Sequence, residues 1–414
     1  MDNTLRDRLR RLGVKQGREG IVPLKPRAAR SAFNIESLVP GREVFTNGGA
    51  YFVAETTYPL THQHGERALT DVLRCDPRIA ARLSHADSLA EADLSGLAFL
   101  DIETTGLAGG TGTLAFLIGI GTVESDQFVL RQFFMRSPAE EASLLHGVAE
   151  SLQDRVGLVT YNGRRFDVPI VQTRFAMARR RFDLTSYPNL DLLPAARRLW
   201  RGRYENCSLG TLESAVLGLH RTEADVPGYL IPQLYVDYLR TGDAREVQRV
   251  IYHNAEDILS MVTLAAHILE TFGDPVGETR SGVDCLRLAM WHDDNGDAEE
   301  AEAAYRTALA RTRSVPANQK STLYERYAVF LKRADRRAEA APLWQKWAAL
   351  ADDDPKPCIE LAKYYEWDAH DIEPAKEWAG RALVCVSHWR KGWERDEAWK
   401  EIQHRMERLE RKHE

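Results

Sequence analysis

Three short acidic motifs lie far apart in this 414-residue chain, and each is of a kind that can hold a divalent cation. The first is Leu100-Asp101-Ile-Glu103-Thr104-Thr105-Gly106, which continues the apolar run Leu97-Ala-Phe. A run of this length reads as a buried strand, and residues two apart on a strand project from one face. Asp101 and Glu103 are therefore expected side by side at the end of that strand. Two carboxylates so close repel unless a cation or a proton intervenes. A hard ion such as Mg²⁺, which takes oxygen ligands, supplies the compensation.

The second motif is Tyr161-Asn162-Gly163-Arg-Arg-Phe166-Asp167, between a strand pattern and a helical pattern. Asp167 falls near a helix N-terminus, where a carboxylate serves either as an N-cap or, beside the first motif, as a third ligand. Asn162 and the backbone at Gly163 are placed to approach a substrate, and Phe166 to stack on a terminal base. The third motif is Tyr252-His253-Asn-Ala-Glu-Asp257 on a long helical pattern. His253 and Asp257 are four apart and share a helix face. An imidazole and a carboxylate there suit metal binding plus activation of a water. Histidine, with a pKa of about 6.5 against about 10 for tyrosine, is the better base near neutrality. Tyr252 stands as the alternative.

The elements that must position these residues follow from periodicity. Residues 96–270 alternate strand and helix patterns, which predicts a mixed α/β sheet with helical cover. Strands are expected at 96–102, 113–123, 127–135, 157–161 and 190–193, and helices at 138–152, 166–181, 208–217, 232–240 and 243–270. Asp191 could join the metal shell, but its place on the short strand favours structural support. Gly109-Gly-Thr-Gly112 lacks the Gly-Lys-Ser/Thr of a phosphate loop and reads as a turn between strands, with close approach to a substrate backbone as the alternative. Arginines at 164–165, 179–181, 197–198, 201 and 203 give this region local positive charge, either as solvated helix ends or as phosphate contacts.

Residues 1–30 carry nine Lys/Arg against three Asp/Glu and are expected to be a basic flexible arm. Residues 31–95 read as a small β-rich leader, with a hairpin from Glu43-Val-Phe-Thr through Gly48-Gly49 to Tyr51-Phe-Val-Ala. His62 and His64 alternate there, and without further ligands they are expected to be structural. Residues 271–283, punctuated by Gly and Pro, read as a linker. Beyond it, in 284–414, Ala301/Tyr305/Ala308, Ala340/Trp344/Trp347 and Ala375/Ala379/Ala382 recur at offsets of 39 and 35 residues. That spacing fits tetratricopeptide-like helix pairs closed by a polar capping helix after Trp393.

The formal charge of −6, from 55 basic and 61 acidic residues, gives no global field that would attract nucleic acid, so any contact must be local. No apolar run approaches the roughly 18 residues that span a bilayer, so no membrane partner is expected. Five widely spaced cysteines without a CxxC pair, and an N-terminus without an apolar signal segment, point to a reducing cytoplasm.

The ordered set Asp101-x-Glu103, Asn162-Gly-x-x-Phe166-Asp167 and His253-x-x-x-Asp257 resembles the DEDD 3′–5′ exonucleases of the ribonuclease H-like superfamily. The resemblance spans about 97–270. Leu190-Asp-Leu-Leu, Cys207-Ser-Leu-Gly-Thr-Leu-Glu213 and Asp225-Val-Pro-Gly-Tyr-Leu-Ile-Pro-Gln-Leu-Tyr235 look like the YprB-like branch, in which such a domain is joined to tetratricopeptide repeats. The resemblance implies a ribonuclease H-like fold. It also implies two-metal phosphodiester hydrolysis with Mg²⁺ or Mn²⁺ on Asp101, Glu103, Asp167 and Asp257, acting on single-stranded DNA or RNA. Thr104, Thr105, Gly106, Asn162, Gly163 and Phe166 would be the nucleic-acid contacts, and the repeats would recruit a protein partner. The chain departs from the family at one point. DEDDy members carry Tyr four residues before the last Asp and DEDDh members carry His five before it. Here His253 and Tyr252 stand the other way round. A catalytically weak or inactive nucleic-acid-binding module on a repeat scaffold is the competing reading.

Overall fold

Stretches rich in aromatic and β-branched residues pair into a seven-stranded sheet in the computed structural model, which describes residues 33–106, 112–222, 224–277 and 280–413. The expected basic arm and Gly109-Gly-Thr lie outside the described residues. By packing the chain forms two units. One holds the residues up to Pro194 with Glu205–His267, the other Ala195–Tyr204 with Ile268 onward.

In the first unit the strands are β1 (Gly41–Thr46), β2 (Gly49–Pro59), β5 (Leu97–Thr104), β6 (Ala115–Glu124), β7 (Gln127–Phe134), β8 (Gly157–Thr160) and β9 (Asn189–Asp191). Two short strands, β3 (Gln63–His64) and β4 (Arg67–Ala68), pair separately. The sheet order is β1-β2-β7-β6-β5-β8-β9. Pairing is antiparallel from β1 to β5 and parallel from β5 through β8 to β9. The hairpin expected in the leader is present, but it does not stand apart. β2 pairs along β7 and so extends the same sheet by two strands. His64 is buried, with its Nε2 2.9 Å from Ser260 Oγ, which is a structural place.

Helices α1 (Pro77–Ser84), α2 (Glu141–Leu152), α3 (Asp167–Met177), α4 (Leu192–Trp200), α5 (Ile231–Thr241) and α6 (Arg245–Gly273) follow the strands. α4 begins where a strand to residue 193 was expected. Asp191 Oδ1 accepts from the Leu193 backbone N–H at 3.1 Å, and Pro194 fits the first turn, where no N–H is required. The core between sheet and helices includes Phe116, Phe134, Phe175 and Tyr235, all fully buried, with Phe116 stacked on Tyr235 at 4.0 Å.

The second unit continues as α7 (Gly282–Asp294), α8 (Ala298–Ala310), α9 (Ala317–Arg333), α10 (Arg337–Ala348), α11 (Lys356–Trp367), α12 (Ile372–Ser387) and α13 (Trp393–His413). The recurring small and aromatic residues fall on α8, α10 and α12, and all nine are buried. They are inter-helix core, with Tyr305 stacked on Tyr327 at 5.2 Å. Arg197, Arg198, Arg201 and Arg203, which the sequence placed with the α/β region, belong by packing to this unit. There Arg198 pairs with Asp294 and Arg203 with Asp284. Among the described residues no helix is long and apolar enough to cross a membrane.

Candidate metal centre

β5 runs through the middle of the sheet, and β8 pairs with it only from Leu97 to Phe99. Beyond Phe99 the β8 side of the strand is open, and this is where the acidic residues begin. Asp101 pairs with Gly119 and Glu103 with Leu117 on β6, and the register shifts after Glu103. Such a bulge re-aims the side chains beside it.

α6 crosses the face that carries Asp101 and Glu103. It can lie close because β6 is bare there. A Cβ on Gly119 would stand 2.2 Å from Asn254 Oδ1 and 2.4 Å from Ile258 Cδ1, and one on Gly121 would stand 2.7 Å from Ile258 Cγ2. Asn254 is wholly buried. Its Nδ2 donates to Asp101 Oδ2 at 2.7 Å, and its Oδ1 accepts from Gln132 Nε2 at 2.8 Å. Gln132 also donates to the Ile251 carbonyl at 2.7 Å, so a chain of buried amides from β7 sets the Asp101 carboxylate.

Asp167 is the first residue of α3, and Phe166 before it makes no capping bond through its side chain. The Asp167 carboxyl lies near enough to its own backbone N–H and to that of Ile102 on β5 for both to favour its charged form, which places it beside that strand. Asp191 holds the preceding turn from below. Its carboxylate accepts from the backbone N–H groups of Asn162 at 2.7 Å and Arg164 at 3.3 Å, the structural support expected of it. Asn162 takes a left-handed φ of 65°, which asparagine tolerates better than most residues. Gly163 is buried, and a Cβ there would lie 2.5 Å from Thr160 Cβ, so its bareness serves the turn.

The four carboxylates repel one another. Burial raises the Asp101 carboxyl well above its ordinary range, and the charges of Asp257, Glu103 and Asp167 raise it further. Glu103 is raised likewise by burial, Asp257 and Asp167. Asp167 is pushed up to about 7, by burial first and with Asp191 and Asp257 adding to it. Burial raises Asp257 as well, against the pull of His253 and Arg221. Four acids that oppose one another's ionisation, with oxygens as the donor atoms, fit hard divalent ions.

The residues that sequence reasoning missed surround this cluster. Arg221 donates to both oxygens of Glu213, at 2.6 and 2.7 Å, and to Asp257 Oδ1. Asp225 Oδ1 lies 2.6 Å from His253 Nδ1. On the other side of that ring, Nε2 is 3.5 Å from Asp257 Oδ2 and 3.8 Å from Glu103 Oε1. One ligating atom each from Glu103, His253 and Asp257 lies within 4.8 Å of the others. Tyr252 turns elsewhere, its hydroxyl 3.5 Å from Thr222 Oγ1. The bare Gly119-x-Gly121 on an apolar strand was the one signal that α6 would pack there. Nothing in the sequence linked Gln132 or Arg221 to the motifs, and Asp225 opened a stretch that the resemblance singled out without giving it a role at the site.

The expected nucleic-acid contacts divide. Phe166 is 48% exposed at the start of α3, and a Cβ on Gly106 would meet nothing. The threonine hydroxyls are engaged in the loop itself. Thr104 Oγ1 donates to the Gly106 carbonyl at 3.0 Å, and Thr105 Oγ1 accepts from the Leu114 N–H at 3.0 Å. Arg164 is likewise committed, to the carbonyls of Ser84 and Asn189.

Comparison with known proteins bears on the fold that carries these residues. A family model described as the RNase_H superfamily matches residues 98–269, the span from β5 to the end of α6. The uncharacterized protein YprB of Bacillus subtilis (strain 168) is 31% identical over 345 residues, covering 81% of this chain and 81% of its own length. The chain therefore belongs to the same family as that protein, and residues 98–269, which include Asp101, Glu103, Asp167 and Asp257, form its RNase H superfamily domain.

Proposed function

We propose that this chain is a DEDD-type 3′–5′ exonuclease that hydrolyses phosphodiester bonds of single-stranded DNA or RNA in the cytoplasm. The observation that carries the reading is the placement of Asp101 and Glu103 on β5 with Asp167 and Asp257 near enough that their charges raise the Asp101 and Glu103 carboxyls, and with Asp257 and Glu103 sharing one cluster with His253. Superfamily membership supports it, because RNase H-like domains are in general metal-dependent nucleases. The four carboxylates would hold two ions, Mg²⁺ or Mn²⁺. Ions so bound supply stabilisation of charge on the phosphate and a more acidic water.

The protein's own groups do the rest. Asn254 and Gln132 keep the Asp101 carboxylate turned into the site. Phe166, exposed beside Asp167, supports the terminal base, and Asn162 with Gly106 borders the strand's path. His253, rather than Tyr252, is the side chain placed to act at the ions or the water, because its Nε2 faces the acids. The helix pairs of the second unit are tetratricopeptide-like repeats that recruit a protein partner.

The test is hydrolysis of end-labelled single-stranded DNA and RNA in Mg²⁺ or Mn²⁺. Asp101→Ala is expected to lose at least about 100-fold in rate while keeping its circular dichroism spectrum. Equal turnover by both proteins would refute the site. Absence of turnover in both, with nucleic acid still bound, would favour the inactive binding module. Arg221, already bonded to Asp257, is the feature that supports that second reading.

A further inference from the structure

We infer that His253 is itself a ligand of the ion held by Glu103 and Asp257, oriented by Asp225, so that the centre favours transition-metal ions over Mg²⁺. The inference rests on the metal-dependent reading above and goes further, to which atoms hold the ion and which ion they prefer.

The tautomer comes first. Asp225 Oδ1 stands 2.6 Å from His253 Nδ1. At that distance a carboxylate oxygen must face an N–H, since two lone pairs would repel. Arg221 Nη1, 3.0 Å from the same nitrogen, can only donate, so it is not the partner of a protonated Nδ1. It lies 3.3 Å from Asp225 Oδ2 and bonds there instead. With Nδ1 engaged by Asp225, Nε2 is the ring nitrogen left to bind an ion.

Nε2 faces two carboxylate oxygens. Asp257 Oδ2 is 3.5 Å away and Glu103 Oε1 is 3.8 Å away, both too far for a good hydrogen bond. Ligands that share an ion at roughly 2.1 Å are roughly 3 Å apart at right angles and just over 4 Å apart across it. The observed separations fall between those limits. Asp257 is set for this role too, because Arg221 takes its Oδ1 and leaves Oδ2 toward Glu103 and His253.

A carboxylate on one ring nitrogen and an ion on the other is the usual support of a ligating histidine. Asp225 is thus a positioning residue, acting through His253. The nitrogen donor matters for ion choice, because Mg²⁺ prefers oxygen and gains little from imidazole, whereas transition-metal ions bind it well.

The experiment uses the full chain, stripped of metal and loaded with Mn²⁺ as the paramagnetic probe. Pulsed electron paramagnetic resonance of the wild type should show a directly bound nitrogen whose coupling changes on ¹⁵N-histidine labelling. This measurement needs no substitution. His253→Ala should lose the coupling, and its Mn²⁺-over-Mg²⁺ preference in competition titrations should fall by about tenfold or more. Asp225→Asn should weaken Mn²⁺ binding more than Mg²⁺ binding. Mn²⁺ bound with oxygen ligands alone, or an unchanged preference in His253→Ala, would overturn the inference and leave the nuclease proposal standing. Failure of the wild type to bind either ion, or binding unchanged in Asp101→Asn and Glu103→Gln, would instead overturn the metal centre.

Discussion

In the helical unit the carboxylate of Glu366 on α11 is wholly covered, and it meets Arg405, Arg408 and Lys412 of α13. In the α/β unit Asp101 and Glu103 are half-buried, and what they meet is mainly other carboxylates. Desolvation pushes all of these groups toward the neutral form. At Glu366 the hydrogen bonds of Arg408 and Lys412 outweigh it and hold the acid below its usual range. Around Asp101 nothing among the described residues is sufficient, and the acids stay raised. Arg221 lends charge to Glu213 and Asp257 and leaves Asp101 without a cationic bond partner among the described residues. A buried acid that serves the fold brings its cations from its own chain, whereas one that serves chemistry leaves a place for a cation from solution.

Paired substitutions can break this contrast. The largest effect is expected at Glu103→Gln. Nuclease turnover should fall by at least about 100-fold. The metal-free protein should melt at the same temperature as the wild type or somewhat higher, because one repelling charge is gone. Activity assays paired with calorimetry check both arms, and a clear drop in the metal-free melting temperature would mean the acid is structural. Glu366→Gln should show the reverse pattern. It leaves three cations facing a neutral amide, and since their side chains are partly exposed the loss should be about 2 kcal/mol of unfolding free energy. Urea unfolding measures it, and turnover per folded molecule should not change.

The smallest effect concerns His64, buried against Ser260 with its pKa lowered to about 4, chiefly by desolvation. Its folded value lies below that of the unfolded chain, about 6.5, so its contribution is complete above pH 6.5 and is lost as the pH falls toward 4. Between pH 7 and 5 the ring should account for on the order of 2 kcal/mol of lost stability. In His64→Gln the difference between unfolding midpoints at those two pH values should shrink accordingly. An undiminished difference would place the acid sensitivity elsewhere.

What could be read from the sequence was what local periodicity encodes. The alternation along 97–104 put Asp101 and Glu103 on one face, and the four-residue step on α6 put His253 on the face of Asp257, with Tyr252 left as the alternative. Both statements concern residues that are neighbours along one element, where geometry follows from the repeat. Superfamily resemblance then joined motifs that periodicity alone leaves separate. The parts that stayed hidden are long-range. Gln132 reaches Asn254 across 122 residues, and Arg221 reaches Asp257 across 36 from an irregular segment. The leader hairpin was legible as a hairpin but not as an extension of the sheet, since nothing in its own residues names β7 as its partner. Helix α4 was obscured because Leu192-Leu193 looks equally like strand, and the capping oxygen of Asp191 decides the matter.

Gly119 and Gly121 carry a consequence for how this chain can vary. They touch no ion and ionise nothing, yet the floor beneath Asn254 and Ile258 is built from their lack of side chains. A single added methyl group at Gly119 would collide with an amide already locked between Asp101 and Gln132, so the disturbance would arrive at the acid rather than dissipate in the core. Along lineages these two bare positions should therefore be as immutable as the acids themselves, held fixed by room rather than by reactivity.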